Sequence, residues 1–369
     1  MDFQLTEEQT LLADTTRDLL SSYDTETRNK VIASDPGHKP EVWNQLAEIG
    51  ILGLGFDEDS GGQLEIMVVL NEIGRRLAPE PVLHGALAPG AIIAERGTDA
   101  QRALLDEVAS GQRILAFAHL EPGVRDAAAT PTVTATRDGD AWTLNGTKNP
   151  VLAGDAANTL VVSAALPDGG AGLFLVDAGA SGVSRKPFRT FDGARGAQIE
   201  LSAAPAEPLG DATDASETIS RALVRISAGL AAEALGAMEE ALRLTTDYLK
   251  SRKQFGVTLS KFQTLTQRAA DMYVSLELAR SMAFYASMSI ADGEFDPVKA
   301  ARAKLQIGRS GRHIAQESIQ LHGGIGITAE YPVGHYAARL TAIEHTLGSA
   351  QDQLRTLAGQ LDSYEIVSL

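Results

Sequence analysis

Residues Arg252–Gln263 read RKQFGVTLSKFQ, and Gln320–Pro332 read QLHGGIGITAEYP. Both stretches interrupt long runs of helical period, and that interruption decides the architecture of the C-terminal half. Upstream, Ile219, Leu223, Ile226 and Leu230 recur at spacings of 4, 3 and 4. Between the two stretches, Leu265, Ala269, Met272, Leu276, Ala279 and Ala283 continue the same stripe, and Val298, Ala301 and Leu305 open another helix. Apolar residues at this spacing mark helices that bury one face, and the alanines permit close approach of neighbours. The reading is a four-helix-type bundle from about residue 214 to 361.

Working outward, the texture changes before about residue 214. Thr132–Thr136 alternates, Asp138-Gly139 supplies turn residues, and Trp142–Gly146 returns, which predicts a hairpin. LVVSA and GLFLVD read as further strands of a compact β domain. Residues 1 to about 110 read as helices. Thr6-Glu7-Glu8-Gln9 gives a capped start, with Leu11, Leu12, Thr15, Leu19 and Leu20 predicted on one face. A second helix starts near Pro40 with Val42, Leu46 and Ile49 as its stripe, and a third carries Ile66, Val69, Leu70 and Ile73. The fold class is therefore α+β and multidomain: an N-terminal helical domain (1–112), a central β-barrel-like domain (113–212) and a C-terminal bundle (213–369).

Composition narrows the function. A net charge of −16 argues against nucleic acid, whose phosphates require a basic surface. Cysteine is absent, so disulfides and thiolate metal sites are excluded. The start MDFQLTEEQTLL is acidic and amphipathic, unlike a secretory leader, and no apolar run is long enough to span a bilayer. The expectation is a cytoplasmic protein without membrane attachment. His313, His335 and His345 lack metal-ligand spacing, and no G-x-S-x-G turn is present.

The two opening stretches carry the chemistry. Arg252 beside the Phe255-Gly256 break, with Gln263 at the next helix start, could hold a pyrophosphate and a planar ring. The plainer alternative is a helix–loop–helix with a surface arginine. Gly323 and Gly324 let backbone approach a ligand, because glycine adds no Cβ. They follow a helix rather than open one, so the strand–turn–helix dinucleotide fingerprint is not present. A glycine cluster alone is more often a turn.

Taken together with LTEEQ, WNQLAEIGILGLGFDEDSGG, Glu121-Pro122-Gly123 and WTLNGTK, these motifs make the whole chain resemble the acyl-CoA dehydrogenase family. The resemblance implies an FAD held at the seam of β domain and bundle. It also implies a Glu that removes the α-proton of an acyl-CoA while the β-hydride passes to flavin N5. By the same resemblance, Arg252, Phe255, Gln263, Gln320, Gly323 and Gly324 contact the adenosine and pyrophosphate end of the neighbouring subunit's FAD. Gly348, Ser349 and Gln351 match a further FAD-contacting stretch. An electron-transfer flavoprotein or similar acceptor is the implied redox partner.

The chain departs from the family at the reacting end. The two positions that carry the base in the family hold Leu347 and Ile226, neither of which has a titratable atom. Glu344 lies nearby and is the alternative, a displaced base in an active homomeric enzyme. Leu120 replaces a hydroxyl residue before Glu121, and Asn149-Pro150-Val151-Leu152 replaces the aromatic and threonine expected near N5. A flavin bound there would lose hydrogen bonds worth about 1 kcal/mol each. The contacts lent to a neighbour are kept, whereas those for the chain's own flavin ring are lost. This asymmetry resembles the base-less subunit of heteromeric, α2β2 acyl-CoA dehydrogenases of actinobacterial steroid side-chain degradation. The implied partner is a homologous catalytic subunit. A third possibility is a non-enzymatic scaffold that binds acyl-CoA.

Overall fold

The computed structural model describes residues 4–360. Residues 1–3 and 361–369, which the sequence reading assigns to the ends of the first and third domains, lie outside the described residues. The chain begins with α1 (Glu7–Leu19), α2 (Thr25–Ala33), α3 (Pro40–Glu48), α4 (Gln63–Arg76), α5 (Ala88–Arg96), α6 (Asp99–Arg102) and α7 (Leu104–Ala109). The predicted cap of α1 is present as a full capping box: the Thr6 hydroxyl accepts from the Gln9 N–H, and the Gln9 side chain accepts from the Thr6 N–H. The predicted face is met in part: Leu20 is buried and Leu12 and Leu19 are half-buried, but Leu11 is 68 % exposed and Thr15 is exposed, and Gln9, Ala13 and Thr16 are buried instead. The Thr16 hydroxyl is accommodated by donating to the Leu12 carbonyl at 2.7 Å.

The β domain follows: β1 (Leu115–Ala118), β2 (Thr134–Asp138), β3 (Ala141–Leu152), β4 (Thr159–Ala165), β5 (Ala171–Asp177), β6 (Val183–Arg189) and β7 (Arg195–Pro208). The predicted hairpin is β2–β3, with Asp138 paired to Ala141. Pairing runs β4–β2–β3–β7–β5 and returns from β5 to β4, so the sheet closes into a barrel, with β1 on β4 and β6 on β7. Closure removes the exposed edges that an open sheet would leave. Register shifts in β3 between Leu144/Gly146 and Lys148/Val151 allow this long strand to bend around the barrel. The barrel is filled by Leu144, Val162, Phe174, Ile199 and Leu201, with the Trp142 and Phe174 rings 5.4 Å apart.

The C-terminal helices are α8 (Ser216–Ser251), α9 (Gln263–Ala291), α10 (Pro297–His322), α11 (Val333–His345) and α12 (Ala350–Ala358). Between α8 and α9 lies a two-stranded hairpin, β8 (Lys253–Gln254) with β9 (Val257–Thr258). The described chain packs as two compact units. One holds residues 4–27, Met67–Ala78 and 227–360; the other holds Arg28–Ile66 and Pro79–Ile226. Inside the first, α4 and α8 cross at glycines. A Cβ on Gly74 would lie 1.9 Å from the Glu233 carbonyl, and one on Gly236 1.8 Å from that of Asn71. Only glycine permits that approach. Arg339 then fixes α11 to α8 by a two-pronged contact with Glu233, at 2.6 and 2.8 Å.

Candidate functional site

The long helix α8 stops because its last turn runs into a tight hairpin. Phe255 (φ +54°) and Gly256 (φ +85°) are its two central residues, and both sit in the left-handed region. That backbone suits two-residue hairpins and normally selects Asn-Gly; a bulky residue is unusual at the first position. The Phe255 ring is 91 % exposed, resting only edge-on to Phe262 at 6.2 Å. Arg252, at the base of this hairpin, is exposed, as is Gln263 at the start of α9. Gln320 is exposed at the end of α10, where Gly323 (φ +68°) ends the helix and hands over to a 3-10 turn.

These donors share a property. Arg252, Gln263, Gln320 and Gln351 have no side-chain hydrogen bond or ion pair among the described residues. Most other arginines of the bundle are committed: Arg243 to Glu240 and Asp247, Arg268 to Glu317, Arg280 to Glu239, Arg339 to Glu233. Around Gly323 and Gly324 nothing lies within 4 Å of a Cβ position, so the backbone there is bare. A free guanidinium, free amides and open glycine backbone suit an anionic, planar-ringed ligand such as the nucleotide half of FAD.

Sequence reasoning missed what joins the two motifs. Tyr248, His322 and Tyr331 form an aromatic group linking α8, just before Arg252, to the residue before Gly323. Their separation in sequence hides them, although the histidine stands inside a motif already singled out.

The loop between α11 and α12 is built in the opposite sense. Leu347 (φ +59°) and Gly348 (φ +92°) repeat the left-handed pair. Lys304 of α10, 2 % exposed, reaches up beneath them. Its ammonium donates to the carbonyls of Ile343 (2.7 Å), Glu344 (2.9 Å) and Gly348 (3.3 Å). Burial lowers the Lys304 pKa from the usual lysine value to about 8, against the opposing pull of Glu344. Ser349 is consumed as the cap of α12, its hydroxyl and N–H both bonded to Asp352. Gln353 closes the loop by donating to the Leu347 carbonyl at 3.0 Å.

Neither Leu347 nor Ile226, the positions where the resemblance led us to expect a base, has a titratable side chain. Leu347 is half-buried and Ile226, on α8, is buried. Glu344 is 4 % exposed, and its carboxylate is bound by the Arg312 guanidinium, with Nε at 3.4 Å and a closer contact through NH2. Both carboxylate oxygens are thereby committed to the guanidinium rather than presented to a substrate.

In the other unit, Asn149 N–H donates to the Leu120 carbonyl at 2.8 Å, which sets the segments of Leu120 and Pro150–Leu152 side by side. Leu120 and Leu152 are half-buried and offer no hydroxyl. Beneath them lies a closed polar network. Lys148, fully buried, donates to Glu121 (2.7 Å), the His119 carbonyl (3.0 Å) and Ser163 (3.1 Å). Glu121 also accepts from the N–H groups of Thr132 and Val133, and its pKa lies near 2 because these bonds outweigh desolvation. Burial lowers His119 to about 4 and Lys148 to about 8. The network satisfies itself and presents nothing outward.

Helices, a closed barrel and a helical bundle thus follow one another along the chain. Family models agree along the chain: acyl-CoA dehydrogenase N-terminal domain at residues 6–112, middle domain at 116–203 and C-terminal domain at 217–361. The chain belongs to the acyl-CoA dehydrogenase family, whose members are FAD-dependent oxidoreductases. It is 36 % identical to a chain of a Tcur3481–Tcur3483 steroid ACAD variant, with a TM-score of 0.90 over 97 % of this chain and 98 % of that one. It is 27 % identical to a chain of the ChsE4–ChsE5 complex from Mycobacterium tuberculosis, with a TM-score of 0.88 over 99 % and 100 %. The acyl-CoA dehydrogenase IpdE2 of the same organism is 31 % identical over 342 residues, 89 % of each chain. No helix among the described residues is long and apolar enough to cross a membrane.

Proposed function

We propose that this chain is the base-less subunit of a heteromeric FAD-dependent acyl-CoA dehydrogenase, and that it lends nucleotide contacts to the FAD of a homologous catalytic subunit. The observation that carries this reading is the contrast within one unit. The side chains of Arg252, Gln263 and Gln320 are left without partners among the described residues and the Gly323–Gly324 turn is uncovered, while the loop of Leu347 is closed by Lys304 and has no acid or base. FAD, when bound, supplies the acceptor for the β-hydride of an acyl-CoA that becomes α,β-unsaturated. Arg252 neutralises pyrophosphate charge, the amides of Gln263 and Gln320 orient the nucleotide, and Phe255 offers an exposed ring for packing. Gly348 and Ser349 lie in the closed loop, and Gln351 stands in the first turn of α12 with its side chain unpartnered among the described residues.

Assembly with another subunit is supported by apolar side chains exposed in the same unit. Phe255 (91 %), Ile327 (75 %), Val274 (58 %), Tyr273 (56 %) and Leu278 (52 %) stand out of its surface. Two relatives are named as two-component complexes, and one as a steroid ACAD, which supports a heteromer acting on a bulky, steroid-type acyl-CoA. The domain limits 1–112, 113–212 and 213–369 belong to the same proposal. They fit helices that end at Ala109, strands from Leu115 to Pro208 and a bundle opening at Ser216.

The binding of Glu344 by Arg312 tells against a homomeric enzyme with a displaced base. The test is to purify the chain alone and with its co-expressed homologous subunit, then add acyl-CoA. Flavin bleaching only in the mixed preparation is expected. A yellow homomer of this chain that bleaches with acyl-CoA would overturn the proposal.

A further inference from the structure

The two motifs that lie far apart in sequence meet through three rings. Tyr248, four residues before Arg252, packs on His322 with centroids 4.5 Å apart and planes tilted by 31°. Tyr331 completes the group, 4.9 Å from His322 and 6.2 Å from Tyr248. His322 is 4 % exposed. Its Nδ1–H donates to the Ser318 carbonyl at 2.7 Å, in the last turn of α10, and this bond fixes the tautomer. Nε2 is buried and makes no hydrogen bond of normal geometry, and the group that lies toward the ring is the Leu244 carbonyl of α8, an acceptor. The ring is held by the Ser318 bond and by packing between Tyr248 and Tyr331. Burial lowers the imidazole pKa below its ordinary value, against the opposing pull of the Ser318 and Leu244 carbonyls.

We infer that His322 is a positioning residue. Its ring, held between Tyr248 and Tyr331, locks the end of α8 to the turn after α10, so that Arg252 and Gly323–Gly324 address one ligand in a fixed relation. The inference rests on the nucleotide-binding reading above and goes beyond it by naming what aligns the two halves of the site. Arg252 approaches the ligand from a hairpin with few internal contacts, and a hairpin of two-residue strands is too short to hold its own orientation. Tyr248 anchors the helix from which that hairpin springs.

The experiment is FAD titration of the deflavinated, assembled protein, read by flavin fluorescence, alongside thermal unfolding. His322→Ala is expected to weaken FAD binding roughly tenfold, the loss of about two aromatic contacts. His322→Phe, which keeps the ring, is expected to restore affinity to within about threefold of the original. Tyr331→Ala is expected to match His322→Ala, and it carries the test if that variant does not fold. Arg252→Ala is the control for the underlying reading. If Arg252→Ala weakens binding while His322→Ala and Tyr331→Ala do not, the positioning role is wrong and the site stands. A failure of His322→Phe to restore affinity likewise overturns the positioning role. If Arg252→Ala also leaves affinity unchanged, the nucleotide site itself is wrong.

Discussion

The hairpin at Phe255-Gly256 and the loop at Leu347-Gly348 use the same backbone device and end in opposite states. Each follows a bundle helix and carries a bulky residue in the left-handed region before a glycine. The first is held by one pair of short strands and leaves Arg252 unpartnered. The second is closed from below by Lys304, from the side by Gln353 and at its exit by the Ser349–Asp352 cap. Equal local geometry therefore does not give equal function. What differs is where the polar groups spend their hydrogen bonds: outward at the hairpin, inward at the loop.

The largest expected effect lies in the closed loop. Lys304→Met leaves three carbonyls without their buried donor and should lower stability by about 4 kcal/mol, measured by urea unfolding. The pH dependence sharpens this. The folded-state pKa of Lys304, about 8, is below its unfolded value, so between about pH 8 and pH 10.5 the unfolded chain binds more protons than the folded one. Stability from this group must therefore rise across that window, and the rise should be missing from the Lys304→Met curve. A variant as stable as the parent would show that the clamp is incidental.

At the open hairpin the expected loss is in binding. Arg252→Ala should weaken FAD binding by the assembled protein roughly 10- to 100-fold, with little change in unfolding, because an exposed and unpartnered guanidinium supports nothing else. A stability loss without a binding loss would reverse the assignment of the two regions.

Glu344→Gln separates structure from catalysis. Losing a general base lowers rates by about a hundredfold or more. The expectation is no such fall in the dehydrogenase activity of the mixed protein, with stability reduced by about 1 kcal/mol because Arg312 is largely exposed. The smallest effect is at Leu347 itself. Leu347→Asn should stabilise the loop by about 0.5 kcal/mol, since Asn tolerates the left-handed backbone that Leu resists.

Much of this was legible in the sequence because it is periodic or covalently local. The capping box at Thr6 and Gln9, the β2–β3 hairpin and the breaks at Phe255-Gly256 and Gly323-Gly324 all follow from residues within a few positions. The face of α1 shows the limit. Leu12, Leu19 and Leu20 turn inward as read, but Leu11 is exposed and Thr16 buried, because a hydroxyl can satisfy itself on its own helix and hydrophobicity alone does not count it. The Lys304 clamp was invisible for another reason. Its partners are backbone carbonyls, which leave no mark on the sequence, and a lysine in a helical stripe reads as a solvated residue. The Tyr248–His322–Tyr331 group required knowing which helix ends meet, which no local pattern supplies.

The most direct test counts flavin by subunit. FAD is quantified per chain in the protein purified alone and with the proposed homologous catalytic subunit, before and after Arg252→Ala in this chain only. The account predicts no acyl-CoA-reducible flavin in the chain alone, one FAD per two chains in the mixed protein, and a lowered FAD content on Arg252→Ala. One FAD per chain in a homomer, reduced by acyl-CoA and indifferent to Arg252, would contradict it.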